Sequence, residues 1–246
     1  VVVIAVIPDT EPELKAEADA FYEINVAKID KIFKTLHKEG ITEVTMLGKV
    51  TKEILFKGLV MPDLRTIKLL TKLRNRKDDT IMLTIVEELA KEGIQVVDQT
   101  VYMKPLMPKA GVLTKAKPSK EQMADILFGF DVAKQMGGLD IGQTVVVKDM
   151  AVMAIEAIEG TDACIKRGGA LGRGNAVVVK TAKPRQDVRF DVPAVGLTTI
   201  QSMLDSDCKI LAMEAERTIF VEQAEVIKLA NEKGLIICAV DGPEEE

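Results

Sequence analysis

Short apolar runs alternate along this chain with segments whose apolar residues recur every three or four positions. That alternation restricts it to the α/β class. Val1–Ile7 reads as a strand already under way. Ile29, Ile32, Phe33 and Leu36 stand at i, i+3, i+4 and i+7, the stripe of an amphipathic helix, and Gly40 supplies its stop. Ile41–Leu47 is the next strand, ending at Gly48. Leu64–Leu73 and Thr80–Glu92 read as helices, with Asp78 or Asp79 expected to cap the second and Gly93 to end it. Ile94–Val97 is again a strand. Strand, helix, strand, helices, strand is the order of a parallel sheet flanked by helices.

The texture changes from Lys104 to Lys120, where Lys-Pro dipeptides and Gly111 break regular structure. At 246 residues the chain accommodates two small domains. We therefore expect an N-terminal domain over 1–108, a linker over 109–119 and a C-terminal domain over 120–246. Ser119, with Gln122 three residues on, has the form of a capping box opening a helix to about Met136, stopped by Gly137-Gly138. Thr144–Lys148 and Ala151–Glu156 flank Asp149-Met150 as a hairpin. Ala176–Thr181 is a strand after a Gly-rich stretch, and Thr198–Ser206 is helical. Ile210–Met213 and Thr218–Val221 flank a polar turn. Glu222–Lys233 is a helix stopped by Gly234, and Leu235–Val240 is the last strand.

Several function classes fall away on charge and residue usage. The net charge is −5 with both signs interspersed, which argues against a dedicated nucleic-acid binder. No Trp and only two Tyr leave little to stack on bases. No apolar run approaches the length of a membrane span, and no signal peptide is visible. A chain opening on Val1 is expected to lack its natural start. Cys164, Cys208 and Cys238 are widely spaced and read as reduced, buried residues of a cytoplasmic protein. His37, the single histidine, reads as a helix-surface residue, so chemistry built on a histidine base is not expected.

Residues without an evident packing use gather between Asp140 and Gly196. Asp140-Ile141-Gly142-Gln143 enters a strand. Glu159-Gly160-Thr161-Asp162 follows a strand and precedes a helix; Thr161 or Asp162 is expected to cap it, and its N-terminus also suits an anion. The run Gly168-Gly169-Ala170-Leu171-Gly172-Arg173-Gly174-Asn175 reads either as a surface loop or as a phosphate nest. It lacks the Gly-Lys-Ser/Thr of a Walker loop and the order of a dinucleotide fingerprint. From Lys180 to Asp191, four cations and two carboxylates follow an apolar strand. A solvated loop would account for them. A phosphoryl site accounts for them too, since Lys and Arg neutralise phosphate oxygens while Asp holds a metal or positions water. Gly48-Lys49 after the second strand is a lesser candidate.

Together, Asp140-Ile141-Gly142-Gln143, the run Ile155-Glu156-Ala157-Ile158-Glu159-Gly160-Thr161-Asp162, and Lys180-x-x-Lys183-Pro184-x-Gln186-Asp187-x-Arg189-x-Asp191-x-Pro193-x-x-Gly196 resemble the I-type UDP-2,3-diacylglucosamine pyrophosphatases. Gly48-Lys49-Val50, Pro62-Asp63, Lys77-Asp78-Asp79 and Gly111-Val112-Leu113 extend the resemblance through the first half. It implies an α/β protein of two domains. The N-terminal half is Rossmann-like, its first strand and Gly-rich turn missing here, and the C-terminal half is a distinct α/β domain. It implies attack of water on the α-phosphorus of UDP-2,3-diacylglucosamine in lipid A biosynthesis. The products are UMP and 2,3-diacylglucosamine 1-phosphate, and the reaction needs Mg2+ or another divalent ion such as Mn2+. Carried onto this chain, Asp191, Lys183 and Arg189 are the expected catalytic residues. Lys180, Gly160, Thr161, Gln186, Gly48, Lys49 and Gln143 are expected to bind substrate. Asp191, Asp187, Glu159 and Asp162 are the expected metal ligands.

The implied setting is cytoplasmic and peripheral at the inner face of the inner membrane of a diderm bacterium, touched transiently. Ile67, Leu70 and Leu73 beside Lys68, Lys72, Arg74 and Arg76 offer a membrane-facing helix, although core packing would explain the same stripe. No nucleic-acid partner is expected, and a homodimer is among the states the resemblance admits. The competing function is a non-catalytic binding protein for a nucleotide-sugar or phospholipid on the same scaffold.

Overall fold

The computed structural model describes residues 1–7, 12–48, 61–73 and 78–242, the side chains of residues 78 and 79 aside. The chain divides into two compact units, Val1–Gln99 and Thr100–Glu246.

In the first unit, β1 (Val2–Ala5) runs parallel to β2 (Ala20–Glu23), with α1 (Pro12–Glu17) between them in sequence. Strand β2 and helix α1 have no counterpart in the sequence reading. Helix α1 buries no residue and β2 lacks a continuous Val/Ile run, so neither leaves an apolar pattern. Helix α2 (Ile29–Lys38) buries Ile29, Phe33 and Leu36, the expected stripe, and the left-handed Gly40 follows its end. β3 (Glu43–Val44) and β4 (Gln95–Val96) form a second parallel pair, each shorter than its apolar run suggests. Helix α3 (Leu64–Lys72) starts at Asp63, whose Oδ1 accepts from Thr66 N at 2.8 Å. Its other oxygen accepts from Asp30 N at 2.8 Å, so one carboxylate serves the starts of two helices. Helix α4 (Asp78–Lys91) begins two residues earlier than expected, so residues 78 and 79 lie inside it rather than before it. His37 is at the surface, 2.9 Å from Glu92 Oε2.

On α3 the buried positions are Thr66 and Leu69, while Ile67 and Leu64 are exposed beside Lys68. Leu70 and Leu73 line a small apolar recess with Ile29 and Ile81. Arg74 and Arg76 lie outside the described residues, as do Lys49 and Lys77.

The second unit holds a six-stranded sheet in the order β5-β12-β10-β8-β6-β7. Its strands are β5 (Gly111–Val112), β6 (Thr144–Lys148), β7 (Ala151–Ile155), β8 (Val177–Lys180), β10 (Ile210–Glu214) and β12 (Ile236–Val240). β8, β10 and β12 are mutually parallel; β5 and β6 run against their neighbours, and β7 against β6. β5 falls within the stretch 109–119 and pairs with β12 at Cys238 and Ala239. A separate parallel pair joins β9 (Ala194–Val195) to β11 (Ile219–Phe220), so the two runs around the polar turn at 215–217 do not pair with each other.

The central strands are buried on both faces, which explains why they read as continuous apolar runs rather than alternating ones. One face carries Val177, Val179, Ile210 and Ala212 against Ile126 and Phe130 of α6 (Lys120–Gly138). Val146, Val178, Leu211 and Ile237 face the other way. They pack among residues of α7 (Thr161–Gly172), α8 (Leu197–Asp205) and α9 (Gln223–Lys233). Three layers result, with the sheet in the middle.

Two turns show how local chemistry sets this arrangement. Ser119 and Gln122 form the expected capping box at the start of α6. Asp149 and Met150 join β6 to β7 with both φ values positive, at 51° and 59°. Neither is glycine, so the turn is strained. Both backbone N–H groups donate to the Asp125 carboxylate, at 3.0 and 2.6 Å, which offsets that strain.

Most of the Gly-rich stretch is neither loop nor phosphate nest: Gly168, Gly169 and Gly172 lie within α7, and only residues 173–175 form the turn that follows it. A Cβ on Gly168 would sit 2.5 Å from Val146 Cβ, and one on Gly169 would collide with Ser206. The glycines allow helix and sheet to touch, which outweighs their low helix propensity. Their N–H groups are engaged in the helix and do not line a ligand site.

All three thiols are buried. Burial pushes Cys164 up to about 12 and Cys238 up to about 11, and raises Cys208 as well. A thiol reagent at pH 8 should therefore label none of them in the native chain and all three after denaturation. Native labelling would contradict the packing.

Candidate active site

The carboxyl ends of β8, β10 and β12 lie together, and β6 enters where β7 leaves at the same end. In sheets of this kind, that edge is where ligands bind. Lys180, Gln143, Gly160 and Thr161 stand there, whereas the Gly168–Asn175 run leads to the opposite end of β8.

Lys180 ends β8 and is 6% exposed. Its Nζ donates to Thr161 Oγ1 and to the Ala194 carbonyl, both at 3.0 Å. Thr161 Oγ1 in turn donates to Glu156 Oε1 at 2.9 Å. Gly160 precedes α7 with φ at +83°, and no side chain caps the helix. Thr161 and Asp162 are therefore not caps: Thr161 is half-buried and bonds to Lys180 and Glu156, while exposed Asp162 accepts at Oδ1 from Ser202 Oγ at 3.1 Å. The first-turn N–H groups of α7 are left without a side-chain acceptor, as an anion site requires. Gln143 accepts at its carbonyl from Thr181 N at 3.0 Å, and its Oε1 is buried without a partner.

Beyond Lys180 the chain turns through Pro184 and Arg185, then through residues 188–190. Lys183 Nζ sits 2.8 Å from Asp140 Oδ1 and 3.5 Å from Asp191 Oδ2. Gln186 Oε1 accepts from Lys183 N at 2.6 Å and so shapes this turn. Arg189 makes a fork onto Asp187, Nε to Oδ1 at 2.9 Å and Nη2 to Oδ2 at 2.6 Å. That guanidinium holds the Asp187 carboxyl below its usual range, and the carboxylate raises Arg189. Asp191 N bonds back to the Asp187 carbonyl at 3.0 Å, closing the turn.

The four proposed metal ligands do not form a cage. Glu159 pairs with Arg167, which lowers its carboxyl, and accepts from Ala157 N at 3.2 Å. Asp162 takes Ser202, Asp187 takes Arg189, and Asp191 lies by Lys183. Among the described residues, no three His, Cys, Asp or Glu side chains converge as a metal site would need. The arrangement suits an ion that arrives with a phosphate, since magnesium is usually held by one or two carboxylates plus substrate oxygens and water. In the other unit Gly48 is an exposed bend with φ at +88°, and Lys49 lies outside the described residues.

The site also contains a clamp that sequence reading missed. Glu214, 3% exposed at the end of β10, holds Lys134 Nζ at 2.7 and 2.9 Å. Glu214 Oε2 accepts from Ala182 N at 2.7 Å, and Lys134 Nζ donates to the Ala182 carbonyl at 3.0 Å. Both peptide groups of Ala182, between Lys180 and Lys183, are thus fixed by one largely buried ion pair. A carboxylate directly ending the apolar run Ile210–Met213 was the available signal.

Lysines and carboxylates gathered at the carboxyl ends of parallel strands, beside an uncapped helix N-terminus, give an α/β protein a strand-end site whose chemistry suits a phosphorylated ligand. The family model of the LpxI N-terminal domain matches residues 1–106, and that of the LpxI C-terminal domain matches residues 109–238. The chain belongs to the LpxI family. It is 35% identical over 233 residues to the UDP-2,3-diacylglucosamine pyrophosphatase LpxI of Caulobacter vibrioides, a match covering 90% of this chain and 82% of that protein.

Proposed function

We propose that this protein hydrolyses UDP-2,3-diacylglucosamine, with water attacking the α-phosphorus, to give UMP and 2,3-diacylglucosamine 1-phosphate in lipid A biosynthesis. The observation that carries this reading is the 35% identity to a pyrophosphatase of that name across both domains. The strand-end lysines support it. Lys180 and Lys183 neutralise charge on the pyrophosphate as the bond to phosphorus forms. Asp191, about a third exposed and beside Lys183, orients the attacking water. Arg189 spends its fork on Asp187, so its part is to hold the turn and add positive potential. Gly160, Thr161, Gln143 and Gln186 shape the pocket around the phosphates.

Magnesium, or manganese in its place, fits with Asp191 as its protein ligand; Asp187 would first have to give up its fork with Arg189, Glu159 is paired with Arg167, and Asp162 holds Ser202. When bound, such an ion draws charge from the phosphoryl oxygens. The N-terminal unit is read as Rossmann-like, on the support of its two parallel strand pairs. No helix among the described residues is long and apolar enough to cross a membrane; the lipid substrate supports the reading of a peripheral contact. Exposed Leu64 and Ile67 beside Lys68 are the candidate contact.

The test is release of UMP from the purified UDP-sugar lipid with magnesium and with EDTA. Release that stops in EDTA is expected. Tight binding without release would instead make the protein a carrier, and release dependent on an acceptor other than water would make it a transferase.

A further inference from the structure

The strand register sets three polar side chains abreast on one face of the sheet. Lys180 of β8 pairs with Thr144 of β6. Val145 pairs with Ile155, so Glu156 follows next to Thr144, and Glu156 N donates to the Thr144 carbonyl at 2.8 Å. Lys180 and Thr144 are buried. Thr161, the first residue of α7, lies over them and joins the two ends. Its single hydroxyl proton goes to Glu156 Oε1 at 2.9 Å, which turns its lone pairs toward Lys180 Nζ at 3.0 Å.

Two further features set Glu156 apart from an ordinary surface carboxylate. Its second oxygen, Oε2, is buried with no partner, and so is Thr144 Oγ1. A buried carboxylate oxygen without a donor is costly, and packing gives no reason for it. In addition, a Cβ on Gly142 would collide with the Glu156 carbonyl oxygen, so only glycine lets the Asp140–Gln143 segment lie this close. The segment that supplies Lys183 with Asp140 therefore rests directly on Glu156.

We infer that Glu156 is a positioning residue of the phosphate site: by accepting the Thr161 proton it makes the hydroxyl an acceptor and so aims the Lys180 ammonium. It does not touch the reacting atoms and takes no proton from water. The inference rests on the phosphate-ester reading above and assigns that site a residue outside the expected set.

Four variants of the full chain test it: E156A, E156Q, T161V and E156A/T161V, each checked for folding by circular dichroism. UMP release is measured as kcat and KM, and affinity for inorganic pyrophosphate by calorimetry. E156A and T161V are each expected to lose about ten- to hundredfold in kcat/KM, the range for a hydrogen bond to a charged group. KM should rise as pyrophosphate affinity falls. The double variant should be no worse than the weaker single within about threefold, because both changes break one chain of bonds. E156Q keeps an oxygen for the Thr161 proton and should stay within about fivefold of the wild type.

Wild-type behaviour of E156A, a loss in E156Q as deep as in E156A, or multiplied losses in the double variant would each overturn the role. If the wild type released no UMP, the proposed reaction would be at fault. The pyrophosphate affinities would then decide alone, and equal values across the set, or no binding at all, would overturn the inference. If E156A fails to fold, E156Q and T161V decide: the first must keep affinity and the second must lose it.

Discussion

Asp191→Ala is expected to lower UMP release by about 10²–10⁴-fold, the usual worth of a positioned acid, base or water-orienting group. Its effect on folding should be small. Asp191 is partly exposed, and the Lys183 ammonium it leaves keeps Asp140 at 2.8 Å. Exposed ion pairs contribute about 0–1 kcal/mol, so urea denaturation should place the variant within about 1 kcal/mol of the wild type. Substrate should still bind through Lys180 and Lys183. Turnover near normal with magnesium present would remove Asp191 from the reaction.

Glu214→Ala should do the opposite and strike stability first. The Lys134 ammonium would be left part-buried beside Phe130 and the Ala182 carbonyl, its counter-charge gone, and Ala182 N–H would lose its acceptor. Breaking one side of a buried pair costs about 3–5 kcal/mol, a large part of a domain's stability. Replacing both partners by Met and Leu should recover most of that, because two buried charges are removed together. It should not recover activity in step, since Ala182 would no longer be clamped between Lys180 and Lys183. Denaturation midpoints and UMP release on the same variants separate the two effects. A single variant as stable as the wild type would show that the pair is solvated and the clamp unimportant.

Much of the C-terminal unit was legible because its signals are local. The Ser119–Gln122 capping box, the Asp149-Met150 hairpin and the Gly234 stop each depend on a few adjacent residues. The Lys180–Asp191 segment stood out because charges crowd at the exit of an apolar strand. The Gly168–Gly172 error has a physical source: glycine density signals flexibility only when nothing packs against the backbone, and here Val146 and Ser206 do. Strand β2 was missed because Ala20–Glu23 lacks the continuous Val/Ile run that marks β1 and β8.

The sequence alone determined the α/β class, most of the elements and the charged segment proposed to handle phosphate, because apolar period, turn chemistry and charge placement act over a few residues. Only the tertiary structure decided which of those charges meet. Lys180 reaches Thr161 and Glu156, and Glu214 reaches Lys134, across strands that sequence separation hides. It also dispersed the four expected metal ligands among Arg167, Ser202, Arg189 and Lys183. Pairings between side chains depend on strand order and register, and those follow from packing the whole sheet between its two layers of helices.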